Sequence, residues 1–454
     1  MISAMTSMKK LLPTLLSLAM LAGWTALFVH DAGAQAPASL TATAEAPKID
    51  TGDTAWVLTS TVLVLLMTAP GLALFYGGMS RSKNALGTVM QSFIVLALIS
   101  IQWLLWGYSL AFGPDIGGII GGFEWLGLNG VGLEPNPNYA ATIPHQTFML
   151  FQMMFAVITP ALITGAYAER VKFSSFILFT LLWATFIYDP LAHWVWGVGG
   201  WLRNLGALDF AGGTVVHISA GMAGLACAIM FRKRLGHGKE PMPAHNLPMT
   251  LTGASFLWFG WFGFNAGSAL GAGALATSTF TATNTSTAAA ALAWMAAEWM
   301  YRGKPSALGA ATGAVAGMVA ITPASGFVGP ISAIWIGMGA GVFCYMAVML
   351  KPLFGYDDAL DAVGVHAVGG IWGVLATGLF ASKAVNAAGA DGLFFGNPAQ
   401  LGIQAMALLV TIVFVFVGTL VILAVVASIT GLRVTEEEEQ TGLDISQHDE
   451  KAYS

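Results

Sequence analysis

Two histidines lie within long apolar runs of the sequence, and an aspartate precedes each of them. Asp209 precedes His217 by eight residues, and Asp358 precedes His366 by the same interval. At about 1.5 Å per helical residue this interval covers roughly 12 Å, which predicts an acid near a membrane face and an imidazole deeper inside. Ionisable side chains within membrane spans face a cavity or the bundle interior and mark ion or proton paths. The two histidines are therefore a candidate functional site.

A structural role for each histidine is the alternative, in which the ring only hydrogen-bonds a neighbouring helix. The recurrence of the pattern at two places in the chain favours function, because two matching positions indicate a duplicated half. We expect His217 and His366 to share hydrogen bonds and to act as one coupled pair.

The composition predicts the class of protein in which these residues work. Of 454 residues, 56% are hydrophobic and 9% are charged, and 55 are glycine. The mean hydropathy is +0.73, which is typical of a polytopic membrane protein and not of a soluble domain. The net charge of −5 offers no basic face for nucleic acid. Cys227 and Cys344 lie in apolar runs without metal-ligand spacing, so we expect no disulfide, no metal and no cofactor.

The N-terminus has the pattern of a secretory signal peptide. Lys9 and Lys10 precede an apolar stretch, and the small residues AGAQA follow it. We predict a signal peptide at 1–36. An uncleaved first helix is the alternative, because the apolar part approaches the length of a full span.

Eleven apolar segments long enough to span a membrane follow, which predicts an all-α polytopic membrane protein with 11 transmembrane helices. They lie at about 55–80, 86–113, 146–168, 173–193, 209–231, 249–270, 276–301, 307–325, 330–350, 361–381 and 401–430.

The basic residues predict the orientation of these spans. Eleven lysines and arginines fall in alternate loops and only Arg203 and Lys383 fall in the others, so the mature N-terminus is predicted outside and the C-terminus inside. The histidine pattern recurs in the fifth and tenth segments, and five is odd. The sequence therefore predicts two inverted five-helix repeats, 53–231 and 249–381, followed by an eleventh transmembrane helix at 401–430 and a cytoplasmic tail at 431–454.

Aromatic residues cluster at the predicted outer ends of several spans. Phe151 and Phe155 lie one helical turn apart, Trp196 follows the fourth segment, and Phe264 and Ser268 end the sixth. A cage of aromatic faces with one hydroxyl attracts a small cation without a fixed charge, each desolvated contact contributing about 2 kcal/mol. Any one of these rings alone is better explained as an interfacial anchor.

Several motifs then identify a family resemblance that runs from about Asp53 to Ser454. They are FQMMF, LAHWVWGVGGW, LDFAGGTVVHI, GKEPMPAHNLPM, GWFGFNAGSA, RGKPSALGA, YDDALDAVGVHAVGGIWG and GLRVTEEEEQTGLDISQHDEKAY. In order and spacing the chain closely resembles the Amt ammonium transporter family, part of the Amt/Mep/Rh superfamily.

The resemblance implies roles for the residues that match. Phe155, Trp196 and Ser268 match the family's external ammonium-recruitment site, next to which Phe151 is placed by the FQMMF motif. Phe155 and Phe264 match its phenyl gate, His217 and His366 its pore histidines, and Asp209 its structurally required outer acid. The family also implies a homotrimer in the plasma (inner) membrane, and a tail that meets a PII signal protein.

The mechanism expected from these roles is capture of NH4+, loss of a proton near the gate, and passage of ammonia past the histidines. Two alternatives remain at this stage. An ammonium sensor would signal through the charged tail EEEEQTGLDISQHDE. A membrane enzyme would need convergent metal ligands, and no HExxH motif or comparable cluster is present in the sequence.

Overall fold

The computed structural model describes residues 48–453, so the predicted signal peptide lies outside the described residues. Long helices occupy the predicted apolar segments. Their bounds are α1 Thr51–Met79, α2 Ser82–Phe112, α3 His145–Tyr167, α4 Phe173–Leu205, α5 Gly213–Phe231, α6 Leu247–Gly267, α7 Ala274–Arg302, α8 Ala307–Ile321, α9 Pro330–Phe354, α10 Val363–Phe380 and α11 Pro398–Ile429. A turn at 197–200 interrupts α4.

Within residues 48–453, eight of these helices are long and apolar enough to cross a membrane, namely α1 to α5 and α9 to α11. Helix α8 is apolar but has only 15 residues. Helix α7 has 29 residues, and its run TSTFTATNTST lowers its hydropathy. The polytopic, helical membrane protein predicted from composition is confirmed.

Close packing between helices depends on glycines that face a neighbouring backbone. Gly253 on α6 lies against the backbone of Phe75 on α1, and a Cβ built at Gly263 would lie 2.6 Å from that of Leu63. Gly337 on α9 lies in the same way against the backbone of Ser286 on α7. In a bilayer, where apolar burial gives helices no reason to associate, such small residues allow the backbones to approach.

Helices α5 and α10 cross in an antiparallel manner at the centre of the molecule. Gly221 on α5 faces Ala367 on α10, and Ile218 on α5 faces Gly370 on α10. The residue numbers rise along α5 in the direction in which they fall along α10, so the two helices are antiparallel. Each helix begins with a wide π-helical turn, Gly213–Ile218 in α5 and Val363–Ala367 in α10. Each turn contains one of the two histidines.

An aspartate caps each of these two helices. Asp209 accepts hydrogen bonds from the backbone N–H groups of four residues, at 2.6 to 3.1 Å: Gly212, Gly213, Thr214 and Val215. Asp358 accepts from Ala362 at 3.1 Å and from Val363 at 2.8 Å. The first N–H groups of a helix have no partner within the helix, and a carboxylate also complements the helix dipole. The repeated Asp–His spacing therefore has a structural origin: in both helices the aspartate caps the N-terminus and the histidine lies in the first, π-helical turn.

The remaining described elements lie at the ends of the bundle. Two short antiparallel ribbons join α2 to α3: β1 Asp115–Ile116 with β2 Ile120–Gly121, and β3 Pro135–Asn136 with β4 Ala140–Pro144. The tail forms α12 Glu436–Thr441 and α13 Leu443–His448 at the opposite end. Asp444 in the tail accepts hydrogen bonds from the backbone of Leu86 and Gly87 near the start of α2, at 3.1 and 2.7 Å.

Candidate functional site

A cavity of about 220 Å³ opens at the end of the bundle that carries the ribbons. Three of the four residues predicted for capture, Phe155, Trp196 and Ser268, line it. The full lining is Phe112, Asn138, Tyr139, Phe148, Gln152, Phe155, Val195, Trp196, Arg203, Phe210, Ser268 and Leu270.

Phe151 does not line this cavity, in contrast to its predicted place in the capture site. Its side chain is fully buried, and its ring lies edge-on to Phe155 with 5.0 Å between the centroids. A Cβ at Gly267 would come within 2.9 Å of the Phe151 ring, so this glycine leaves the space that the ring occupies. Phe151 thus packs against Phe155 without itself reaching the cavity.

Hydrogen bonds orient the polar edges of the cavity. The indole Nε1 of Trp196 donates to the backbone oxygen of Asp209 at 2.9 Å, which turns the ring relative to the capped start of α5. The Ser268 hydroxyl donates to the backbone oxygen of Phe264 at 2.9 Å. A hydroxyl has one donor and two lone pairs, so Ser268 keeps an acceptor for an N–H group in the cavity.

Two phenyl rings close the floor of the cavity. The centroids of Phe155 and Phe264 lie 4.3 Å apart with the rings tilted by 38°, and both side chains are almost completely buried. On the cavity side, the Trp196 ring lies nearly perpendicular to the Phe155 ring, with 5.9 Å between the centroids. Solute that leaves the cavity towards the bundle centre must displace these rings.

The two predicted histidines meet directly behind the phenyl rings. The His217 ring lies 6.0 Å from Phe264, and the His217 and His366 rings lie 5.4 Å apart with only 12° between their planes. Both side chains are buried. Trp196, Phe155, Phe264, His217 and His366 thus form one column of rings from the cavity to the centre of the bundle.

The histidines do not share the hydrogen bond that we expected. Within residues 48–453, three ring nitrogens have no hydrogen-bond partner: Nδ1 and Nε2 of His217, and Nδ1 of His366. The two rings are nearly parallel, but no hydrogen bond joins them. The unpartnered nitrogens are polar groups in an apolar environment, where a group without a partner costs free energy. They are available to a small solute that passes the pair.

Trp261 was missed by the sequence analysis. Its ring stacks on His217 at 5.3 Å with 18° between the planes, and its Nε1 donates to the Thr322 hydroxyl at 2.9 Å. Its position three residues before Phe264 in GWFGF, about one helical turn away, was the available signal. Two further lining residues were not predicted: Tyr139, on a segment that only the tertiary structure brings near Trp196, and Gln152, whose place three residues before Phe155 in FQMMF was an available signal.

A charged cluster lies at the opposite end of the bundle. Arg234 Nη2 contacts Asp357 at 2.9 Å and its Nη1 contacts Glu169 at 3.2 Å, and Arg81 also pairs with Glu169. Burial alone would raise the pKa of Asp357, but the hydrogen bonds from Arg234 and the positive charges of Arg234 and Arg170 together outweigh burial and hold that pKa well below its usual value. Burial would also raise the pKa of Glu169, but the neighbouring Arg234 and Arg81 lower it below its usual value.

Comparison with known proteins assigns this arrangement to a family. The model of the Ammonium Transporter Family matches residues 55–453. An ammonium transporter of Bacillus subtilis is 55% identical over 404 residues, which cover 88% of this chain and 98% of that protein.

Two solved structures share the fold. Saccharomyces cerevisiae Mep2 matches with a TM-score of 0.81 and 36% identity, covering 86% of this chain and 91% of that one. A protein described as a sensor Amt protein matches with the same TM-score and 33% identity, covering 87% of this chain and 98% of that one. The chain belongs to the Ammonium Transporter Family.

Proposed function

We propose that this protein transports ammonium by capturing NH4+ in the outer cavity, removing a proton near the phenyl rings and conducting ammonia past His217 and His366. The observation that carries the proposal is the column of rings that joins the cavity to the buried histidine pair. Family membership supports the same substrate.

Capture is the first step. The faces of Trp196 and Phe155 attract a cation through their ring quadrupoles, each contact contributing about 0.5 to 2 kcal/mol depending on how far the site is desolvated. The Ser268 oxygen accepts one N–H of the ion. This combination favours a small cation with N–H donors over an anion, which the ring faces repel.

The phenyl rings then decide what passes. An ion that leaves water for an apolar interior pays an idealised Born penalty on the order of 20 kcal/mol, whereas neutral ammonia avoids that penalty. Phe155 and Phe264 are almost completely buried, so a hydrated ion does not fit between them. Transfer of the proton from NH4+ to water in the cavity, before the phenyl rings, is therefore the economical step. It takes place beside Trp196, whose Nε1 bonds the backbone of Asp209 at the start of α5.

The histidines form the last part of the path. A neutral imidazole has one donor and one acceptor, so the unpartnered nitrogens of His217 and His366 hydrogen-bond ammonia as it passes. The nitrogens of the two rings also line a path on which solute molecules, hydrogen-bonded to them, relay the released proton. Net transport is electrogenic if that proton follows the ammonia.

The full architecture proposed here is an 11-helix bundle with inverted repeats at 53–231 and 249–381, a span at 401–430, the N-terminus outside and the tail at 431–454 in the cytoplasm. The antiparallel crossing of α5 and α10 with matching aspartate caps supports the inversion. The distribution of basic residues supports the orientation. We place the protein in the plasma (inner) membrane.

A homotrimer is the proposed assembly. Helix α7 exposes Thr277, Thr281 and Asn284, spaced at one-turn intervals on one face. Polar side chains in a span rarely face lipid, so this stripe supports contact with another copy of the chain.

The tail is the proposed contact for a PII signal protein. Lys83 Nζ donates to the backbone oxygens of Glu439 and Gln440 at 2.9 and 2.6 Å, which holds the tail against the start of α2. Glu436 and Glu437 remain exposed on the docked tail. The tail therefore offers an acidic surface that is fixed in position relative to the pore.

Flux separates the transporter from an ammonium sensor, which the similar sensor Amt structure makes the second candidate. Purified full-length protein in sealed proteoliposomes is expected to accumulate ammonium along an imposed gradient, with protein-free liposomes as the control. A protein that binds ammonium but gives no uptake above protein-free liposomes would be a sensor.

A further inference from the structure

The outer cavity contains a positive charge where a cation is proposed to bind. Among the described residues that line the cavity, Arg203 is the charged one. It lies on the last turn of α4 and is exposed. Its Nη1 donates to the backbone oxygen of Trp196 at 2.6 Å. The guanidinium is thus tied to the backbone of Trp196, whose side chain lines the same cavity.

No carboxylate among residues 48–453 forms an ion pair with Arg203. The nearby Asp209 accepts four backbone N–H groups and lies buried at the start of α5. Asp115, in the outer ribbon, is hydrogen-bonded to His193 Nε2 at 2.9 Å. The charge of Arg203 therefore lies at the cavity wall and is not neutralised by a carboxylate among the described residues.

We propose that Arg203 sets the affinity of the capture site by repelling the bound cation, so that the half-saturation concentration is higher than the aromatic cage alone would give. This inference rests on the proposed function. The repulsion acts on every monovalent cation in the cavity, so Arg203 lowers occupancy by potassium as well as by ammonium. The aromatic faces and Ser268 then distinguish between them.

Coulomb's law bounds the size of the effect. For two unit charges about 8 Å apart, effective dielectric constants between about 80 and about 20 give a change in occupancy between roughly 2-fold and roughly 30-fold. The charges are solvent-exposed, so salt screens the interaction, and at about 1 M the Debye length falls to about 3 Å. A charge effect therefore shrinks with ionic strength.

Arg203 also holds the Trp196 carbonyl, and this second contact gives a different signature. Loss of the hydrogen bond would loosen Trp196 and weaken capture at every salt concentration. Lysine keeps the charge but not the planar guanidinium, whereas glutamine removes the charge and keeps an N–H donor. Arg203→Lys and Arg203→Gln therefore separate repulsion from positioning.

The test measures the half-saturation concentration for ammonium in proteoliposomes of the full-length chain at low ionic strength and at about 1 M of an impermeant salt. We expect Arg203→Gln to lower the half-saturation concentration by roughly 2-fold to 30-fold at low salt, and the difference from the parent chain to shrink at high salt. Arg203→Lys should stay near the parent value. The maximal rate confirms that each variant is folded.

Lys383→Gln is the matched control. It removes one positive charge from another loop predicted to lie outside, at an exposed residue that does not line the cavity, and should leave the half-saturation concentration unchanged. An unchanged or raised value for Arg203→Gln would overturn the inference, as would a lowered value that high salt does not affect. Absence of flux in the parent chain would instead refute the proposed function.

Discussion

Trp196 joins the proposed capture site to the capped helix behind it, because its ring faces the cavity and its Nε1 bonds the Asp209 carbonyl. Trp196→Leu removes the largest ring face. We expect the half-saturation concentration for ammonium to rise by the equivalent of about 1 to 2 kcal/mol, roughly 5-fold to 30-fold. Uptake kinetics in proteoliposomes measure the change. Trp299→Leu, at an exposed tryptophan on α7, is the control, and an unchanged value would remove Trp196 from the site.

His217 and His366 carry the unpartnered nitrogens in the centre of the bundle. The double variant His217→Ala with His366→Ala keeps the helices but removes both proton acceptors from the pore. We expect it to lose ammonium-evoked, proton-coupled current in proteoliposomes, and each single variant to lose less or to admit other cations.

His245→Ala is the control for this experiment, because His245 bonds Ser80 and Tyr453 at the end of the bundle where the tail docks. Full current in the double variant, with unchanged selectivity against potassium, would mean that the two rings are packing groups.

At the scale of the element, the starts of α5 and α10 depend on their aspartate caps. Asp209→Ala leaves four buried backbone N–H groups without an acceptor, and Asp358→Ala leaves two. Loss of a cap costs about 0.5 to 2 kcal/mol, and an unsatisfied buried polar group about 1 to 3 kcal/mol. We therefore expect both variants to lower the melting temperature of the detergent-purified protein, Asp209→Ala by more.

Asp391→Ala serves as the control for the caps. Among residues 48–453, the Asp391 side chain accepts one hydrogen bond, from the exposed backbone N–H of Lys383 in a loop. Equal melting temperatures for Asp209→Ala and Asp391→Ala would contradict a capping role.

The charged cluster of Arg81, Glu169, Arg234 and Asp357 predicts how the stability of the folded protein depends on acid pH. The pKa of Asp357 and that of Glu169 are lower in the folded protein than in the unfolded chain. A group with a depressed folded pKa contributes stability above its unfolded pKa, about 4, and loses it as the pH falls towards the folded value. We expect the melting temperature to fall below about pH 4, and Asp357→Asn to lower it at pH 7 and flatten the acid dependence. A parallel shift at all pH values would contradict the assignment.

At the scale of the whole molecule, the proposed orientation can be tested from the C-terminus. The docked tail and the basic loops share one end of the bundle, as the contact between Lys83 and the tail shows. The bias of basic residues predicts that this end lies in the cytoplasm. A reporter that is active only in the cytoplasm should work when fused after Ser454. Activity of a periplasmic-type reporter at the same position would reverse the topology.

The tail also predicts a partner interaction. Truncation after Arg433 removes α12 and α13, together with the exposed Glu436 and Glu437. We expect the truncated protein to insert into the membrane but to lose association with the host's PII protein in a pull-down. Retained association would place the contact in the loops between the spans instead.

The membrane class, the approximate helix positions and the matched Asp–His pairs could all be predicted from the amino-acid sequence. These depend on local properties, namely the length of apolar runs and the residue spacing along a helix. The helix bounds follow the predicted segments within a few residues at most ends, for example Val363–Phe380 against 361–381. The family motifs added the roles proposed for Phe155, Phe264 and Ser268.

Contacts between segments that are distant in sequence became visible only in the folded chain. The tertiary structure placed Phe151 behind Phe155 and not in the cavity, stacked His217 between Trp261 and His366, and brought Arg203 to the cavity wall. It also separated the histidine nitrogens that were expected to share a hydrogen bond. Which face of a ring meets its neighbour depends on how helices far apart in sequence cross, and residue spacing within one helix does not contain that information.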